Sequence, residues 1–249
     1  MKLPFTLDRG AGAAAAFGVI VLQADETLEG EFAGLFSRPG LALYHTRVPS
    51  GAEVTPETLA RMERDLPNAA ALLPDAGDLD VVAYACTSGA TVIGQENVAA
   101  AIRTAHPNAK TTDPLSAVVA ACRHLEIRKL GIVSPYVAEV STAMRNLLET
   151  NGLTISAFGS FEQSEEAVVA RISSQSVHDA ICALGQSEGV DGVFASCTNL
   201  RTFDIIDQAE TAIGKPVITS NQALAWHMLT LAGVETAGVG PGALFGAGP

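Results

Sequence analysis

Two short apolar runs, each led by an aspartate and each closed by Cys-Thr and a small polar residue, constrain this chain more than anything else in it. They are Asp80-Val81-Val82-Ala83-Tyr84-Ala85-Cys86-Thr87-Ser88 and Asp191-Gly192-Val193-Phe194-Ala195-Ser196-Cys197-Thr198-Asn199. A continuous apolar run of this length between polar residues reads as a buried strand. A second pair of runs repeats at nearly the same distance: Gly18-Val19-Ile20-Val21 and Gly131-Ile132-Val133 begin 113 residues apart, and the two cysteines are 111 apart. The chain therefore reads as two copies of one α/β plan, each presenting a thiol at the carboxyl end of a strand. In open α/β sheets that is where ligands bind.

The remaining segments fit the same rhythm. Residues 1–16, with Arg9-Gly10-Ala11-Gly12 and a run of alanines, show no period and read as a mobile lead-in. Strands are expected over Phe17–Leu22, Leu41–Val48 and Leu79–Ala85, with a helix from Thr55 to Leu72 opened by Thr55-Pro56-Glu57. A loop then leads into a helix over Glu96–Thr104, and Asp113-Pro114 opens another over Leu115–Leu125, with Cys122 on its apolar face. The second half is expected to hold strands at Leu130–Ser134, Leu153–Phe158, around Cys197 and at Pro216–Thr219. Its helices are Val137–Asn151, Glu165–Arg171, Val177–Gly185, Thr202–Ile213 and Ser220–Leu231. The fold class is α/β: two pseudo-symmetric parallel-sheet lobes with the active site in the cleft between them. Residues 17–113 with 220–249 form the first lobe and 114–219 the second.

Composition narrows the partners. With 48% hydrophobic residues the 249-residue chain has ample material for a core. No apolar run reaches the length of a membrane span, and Met1-Lys2-Leu3-Pro4-Phe5 lacks the apolar block of a secretory signal, so a cytoplasmic protein is expected. A net charge of −12 with 15 scattered Lys and Arg argues against nucleic acid and acidic membranes. The four cysteines form neither a disulfide framework nor a C-x-x-C pair, and the histidines have no metal-ligand spacing, so no metal is expected. Neither a G-x-G-x-x-G after the first strand nor a phosphate-binding G-x-x-x-x-G-K-[ST] occurs, so no nucleotide cofactor is signalled.

Thiol chemistry remains. A thiol at a helix N-terminus is lowered toward neutrality and serves as a carbon nucleophile or a base, and a second thiol facing it serves as the proton donor. Cys86 and Cys197 are the catalytic candidates. The residues after each, Thr87-Ser88 and Thr198-Asn199, cap helices and offer hydrogen bonds to a carboxylate. Glu165-Glu166 reads as a solvated helix face, and Arg201 meets either a carboxylate or a salt-bridge partner at the lobe interface.

Taken together, Tyr84, Cys86-Thr87-Ser88-Gly89, Ser134-Pro135-Tyr136, Ser196-Cys197-Thr198-Asn199-Leu200-Arg201-Thr202 and Pro216-Val217-Ile218-Thr219-Ser220-Asn221-Gln222-Ala223-Leu224-Ala225-Trp226-His227 resemble the maleate cis-trans isomerases of the aspartate/glutamate racemase superfamily. The likeness covers roughly residues 17–235. It implies a cofactor-independent isomerase or racemase of a small carboxylic acid, with one catalytic cysteine from each lobe. The cysteine matching Cys86 adds to a double bond, the adduct rotates, and the cysteine matching Cys197 assists by proton transfer. Thr87, Ser88, Tyr136, Thr198 and Asn199 match positions that hold substrate carboxylates. The partners expected are thus a small carboxylic acid and, in a homo-oligomer, further copies of the chain.

One departure stands out. Maleate isomerases usually carry Asn at the end of the first strand, where this chain has Leu22-Gln23-Ala24-Asp25. An amide donates to a carboxylate; an ionised Asp25 only accepts. Asp25 therefore either faces an amine- or amide-bearing substrate, as in the similar ectoine-utilisation branch of the superfamily, or caps the following helix. Two other readings are an arylmalonate-type decarboxylase, a group that keeps only the cysteine matching Cys197, and a non-catalytic small-molecule binding protein.

Overall fold

The apolar runs become the central strands of two sheets, each four-stranded and parallel throughout. The structure is a computed structural model and describes residues 1–53, 55–75 and 77–246. In the first half come β1 (Ala15–Leu22), α1 (Leu28–Phe36), β2 (Leu41–Val48), α2 (Pro56–Ala70) and β3 (Val81–Ala85), then α3 (Thr87–Ile93), α4 (Gln95–Arg103), β4 (Lys110–Thr112) and α5 (Pro114–His124). The second half holds β5 (Lys129–Tyr136), α6 (Ala138–Thr150), β6 (Thr154–Gln163), α7 (Glu166–Val169), α8 (Ser174–Gly185) and β7 (Gly192–Ala195). It continues with a 3₁₀ turn at Phe203–Ile205, α9 (Ile206–Ile213), β8 (Val217–Thr219), α10 (Ser220–Leu231) and a last 3₁₀ turn at Ala243–Phe245. Residues 247–249, the end of the stretch assigned to the first lobe, lie outside the described residues.

The strand orders are β2-β1-β3-β4 and β6-β5-β7-β8, so the second sheet repeats the first element for element. The register agrees as well. Gly18 of β1 pairs with Val82, and Gly131 of β5 pairs with Val193, each partner standing four residues before its cysteine. Even the leading aspartates do the same work. Asp80 accepts a hydrogen bond from the Ala16 N–H at the start of β1 (2.8 Å), and Asp191 accepts one from the Lys129 N–H at the start of β5 (2.9 Å). At Gly18 a Cβ would lie 2.6 Å from Leu73 Cδ1, so the first sheet packs too closely there for any side chain.

Local chemistry sets most helix starts. Asp113 caps α5 through Oδ1, which accepts from the N–H groups of Leu115 and Ser116, and Thr219 with Gln222 forms a reciprocal capping box on α10. α10 packs against α5, β3, β4 and β8 and so touches both sheets; it is buried nearly all round, as a helix between two layers must be.

Some boundaries differ from the sequence expectation. α3 starts directly after Cys86 instead of following a loop, because the Cys86 sulfur itself accepts the Gly89 N–H and caps the helix. β4, the polar tripeptide Lys110-Thr111-Thr112, carries no apolar signal and is a strand because β3 offers it an edge. β6 runs to Gln163, beyond Phe158, with a register irregularity against β5. Among the described residues no helix is long and apolar enough to cross a membrane.

Candidate active site

The carboxyl ends of β1, β3, β5, β7 and β8 meet where the two sheets face each other, and hydrogen bonds cross that junction. The hydroxyls of Thr87, after β3, and Ser220, after β8, share a hydrogen bond of 2.8 Å. Ser220 Oγ also accepts the N–H of Cys197 at 3.0 Å, and the Thr198 hydroxyl points back at the Ala85 carbonyl at 3.5 Å. Each cysteine corner is thereby tied to the other half of the molecule.

Cys86 is 2% exposed. Its sulfur accepts the Gly89 N–H at 3.1 Å and lies 3.5 Å from Ser88 Oγ, while the nearby Tyr84 hydroxyl donates to Met62 Sδ at 3.7 Å. This crowding requires Gly89: a Cβ there would stand 2.2 Å from Tyr84 Oη and 3.0 Å from the sulfur. The expectation of a lowered thiol is overturned. Burial pushes the Cys86 thiol from 9.0 up to about 11, and the charge of Glu166 adds to the rise, while Ser88, Gly89 and Tyr84 oppose it. Removing a thiolate from water outweighs three donors here.

Cys197 is 4% exposed and has a φ of 141°, a region in which L residues are strained. The Ser220 hydroxyl on its N–H helps to hold that geometry. Its sulfur accepts the Asn199 N–H at 3.3 Å. Its thiol is raised well above 9.0, first by burial and then by Glu166, with Asp25 adding to the rise. Tyr136, fully buried at the end of β5, is itself raised first by burial and then by the neighbouring cysteines.

The other expected site residues gather at the same place, with different duties. Thr87, Ser88, Thr198 and Asn199 are all buried. The Asn199 amide spans the lobes: Oδ1 accepts the Glu26 N–H at 2.9 Å, while Nδ2 donates to the Ala24 carbonyl at 3.3 Å and to Glu166 Oε2 at 3.0 Å. Asp25 does cap α1, its Oδ1 accepting from Thr27 and Leu28 at 2.8 and 2.9 Å. Its Oδ2 is buried without a partner. Burial raises its pKa, against the Leu28 and Thr27 N–H groups that bond Oδ1. Arg201 is exposed and donates to the Ile172 carbonyl at 3.3 Å, and among the described residues it forms no salt bridge. Cys122 lies in the core as expected; the surface cavity of about 720 Å³ beside it shares no residue with the two-cysteine cluster.

Two members escape a reading of the sequence. Glu166, expected on a solvated face, is 6% exposed. Its burial comes from the other half of the chain: Glu166 N–H donates to the Ala52 carbonyl at 3.1 Å, and Glu53 forms an antiparallel bridge with Glu165, so the segments after β2 and β6 clasp each other. No local signal announces that pairing. Its carboxyl is raised by burial and by the charge of Asp25. Ser220 stands in a quoted motif, yet only tertiary contact shows that it joins both cysteine corners. Its neighbour Asn221 donates to the Thr198 carbonyl at 2.8 Å and to Glu31 of α1 at 2.6 Å.

A family model described as arylmalonate decarboxylase matches residues 35–245. In sequence the chain is 27% identical over 236 residues to a maleate isomerase of Nocardia farcinica, covering 91% of this chain and 94% of that protein. Among solved structures it is similar to the maleate isomerase Iso of Pseudomonas putida, at a TM-score of 0.84 and 22% identity over 94% of this chain and 98% of that one, a likeness of fold. It is also similar to a Cys-to-Ser mutant of the Nocardia farcinica maleate cis-trans isomerase with a covalently bound succinylcysteine intermediate, at a TM-score of 0.83 and 26% identity over 93% and 98% of the two chains. With a family match over most of its length and two matched lobes meeting at paired cysteines, the chain belongs to the arylmalonate decarboxylase family, on the maleate isomerase-like side of the Asp/Glu racemase-type fold.

Proposed function

We propose that this isomerase converts a small carboxylic acid without a cofactor, using Cys86 and Cys197 as partners from opposite lobes. The observation that carries the reading is the pair of buried thiols at the ends of the matched strands β3 and β7, tied to one another through Thr87, Ser220 and the Cys197 N–H. Their environments divide the labour. Cys86 has the Gly89 N–H and the Ser88 hydroxyl at its sulfur and the smaller rise, to about 11, so it is the more readily ionised and serves as nucleophile. Cys197 is held higher still, first by burial and then by Glu166, so it keeps its proton and serves as acid.

In the cis-trans reaction Cys86 acts from its minor ionised form, its proton having been released to water, and the thiolate forms a C–S bond to one alkene carbon. The π pair moves to the neighbouring carbon, which takes the proton of Cys197. The former double bond is now single and rotates. Cys197 then withdraws the proton, the C–S bond breaks as the double bond re-forms, and Cys86 leaves as thiolate. Thiol addition across maleate gives a succinyl thioether, the species bound in the structural neighbour from Nocardia farcinica. Decarboxylation would need only one proton donor, and leaves Cys86 unemployed.

Cys86→Ser and Cys197→Ser are each expected to lower turnover by at least about a hundredfold while the protein stays folded. Turnover is read by proton NMR in deuterated water over maleate and amine-bearing acids, and adducts by mass spectrometry of Cys197→Ser. Near-normal turnover in either soluble variant would overturn the two-thiol reaction.

A further inference from the structure

We infer that Glu31 of α1 is a positioning residue for Cys197: its carboxylate, reaching across from the first half of the chain, gathers the backbone of residues 198–203 and sets where the second thiol stands. The consequence for turnover rests on the two-thiol reading; the consequence for the placement of the thiol does not.

The two cysteine corners are fixed in different ways. After Cys86 the chain enters α3 at once, and that helix pairs its own backbone and holds the sulfur through the Gly89 N–H at 3.1 Å. After Cys197 no helix follows directly: Thr198 to Thr202 form a turn and an irregular stretch before the 3₁₀ turn at Phe203. Here the matched halves part. Thr198, Asn199 and Thr202 are buried, and backbone groups that water cannot reach and no helix pairs must find partners elsewhere.

They find them on α1 and α10. Glu31 Oε1 accepts the N–H groups of Thr202 and Phe203 at 2.6 and 2.9 Å, and the Thr202 hydroxyl lies 3.3 Å from the same oxygen. Oε2 accepts Asn221 Nδ2 at 2.6 Å, and the same Nδ2 donates to the Thr198 carbonyl at 2.8 Å. One turn earlier on the same face of α1, the Thr27 hydroxyl donates to the Asn199 carbonyl at 3.1 Å. Among the described residues, every hydrogen bond of the Glu31 carboxylate thus goes to the stretch after Cys197 or to the amide that holds it, and both oxygens are used.

This anchoring bears on the thiol because Cys197 sits at a φ of 141°, a strained conformation that persists only while its surroundings over-determine it. The Ser220 hydroxyl fixes the Cys197 N–H, and Glu31 fixes the chain that leaves the residue on its other side. Without that carboxylate two adjacent N–H groups lose their acceptor, the Asn221 amide is free to turn, and the backbone can relax and carry the sulfur with it.

Alkylation of the folded full chain by iodoacetamide, followed by peptide mapping, reads the placement of each thiol without a substrate. Glu31→Ala is expected to raise the rate at Cys197 at least about tenfold while Cys86 and Cys122 stay within about twofold of wild type, because only the corner after β7 loses its anchor. Glu31→Asp, which keeps the charge but is one methylene too short, is expected to act in the same direction and takes its place if the alanine variant does not fold. Glu31→Gln, which keeps Oε1 for Thr202 and Phe203, is expected to restore most of the protection. For whichever of maleate and the amine-bearing acids the wild type turns over, kcat should fall at least about tenfold in Glu31→Ala with KM within about threefold, since neither Glu31 oxygen is free to hold substrate. An unchanged Cys197 rate in the alanine and aspartate variants, or a rise shared equally by Cys86 and Cys122, would overturn the positioning role. Faster labelling of Cys197 with turnover unaffected would instead uphold Glu31 as the anchor and count against Cys197 as the acid of the reaction.

Discussion

Replacing Ser220 by alanine removes one oxygen from the junction of the two lobes, and the structure fixes what that deletion should cost. The hydroxyl accepts the Cys197 N–H at 3.0 Å and shares a 2.8 Å hydrogen bond with Thr87. Ser220 and Thr87 are wholly buried, so water cannot replace the lost partner. Leaving a buried polar group unsatisfied costs about 1–3 kcal/mol. Two groups are orphaned, and Thr87 recovers part of its loss by rotating its hydroxyl, so the total is about 2–4 kcal/mol. For a chain of this size each kcal/mol lowers the midpoint by about 2–4 °C, which gives a Tm lower by roughly 4–16 °C. The Cys197 backbone, strained at a φ of 141°, also loses its anchor, and turnover should fall at least about tenfold with the thiol misplaced. Thermal unfolding followed by circular dichroism reads the first effect and proton NMR the second. Thr91→Ala serves as control: it removes a hydrogen bond to the Thr87 carbonyl, which the helix still satisfies, and should cost under about 1 kcal/mol. A Ser220→Ala protein that melts within a degree of wild type and retains its activity would refute the claim that this hydroxyl holds the cysteine corners together.

The Cys86 thiol also makes stability depend on alkaline pH. Below about pH 9 it is protonated in folded and unfolded chains alike and its contribution is fully present; between pH 9 and about 11 the unfolded chain sheds the proton that the folded chain keeps, so stability falls. The loss is on the order of 3 kcal/mol above that window, and urea unfolding of wild type and Cys86→Ser across it should diverge by this amount; parallel curves would contradict the buried neutral thiol. Gly89→Ala should destabilise by about 1–3 kcal/mol and suppress turnover, because its Cβ would fall 2.2 Å from Tyr84 Oη; an unaffected variant would show that the Tyr84–Cys86 contact is dispensable.

Much of this architecture was local and hence legible. Apolar runs long enough for a strand and too short for a helix named β1, β3, β5 and β7, and caps such as Asp113 and Thr219 fixed the helices behind them. The repeated Asp-to-Cys-Thr spacing announced two equivalent halves, because a strand carries its end residue to the same edge wherever it occurs in the sheet. The two thiols were nameable for that reason, whereas Tyr136 and Asp25 were nameable only through the resemblance to the maleate isomerases. Their ionisation was not: a helix start argues for an acidic thiol, and only the depth of burial shows that desolvation wins and drives Cys86 to about 11. Asp25 illustrates the division within one side chain, since its capping oxygen follows from the sequence of the corner, whereas the unpartnered Oδ2 is a property of what packs above it. Glu166 and Ser220 were decided by tertiary structure alone. The first is buried by a bridge to a segment more than a hundred residues away, and the second joins Thr87 to Cys197 across the lobes. Sequence sets what each strand end carries; which ends face each other, and how much water remains between them, depends on how the two sheets pack.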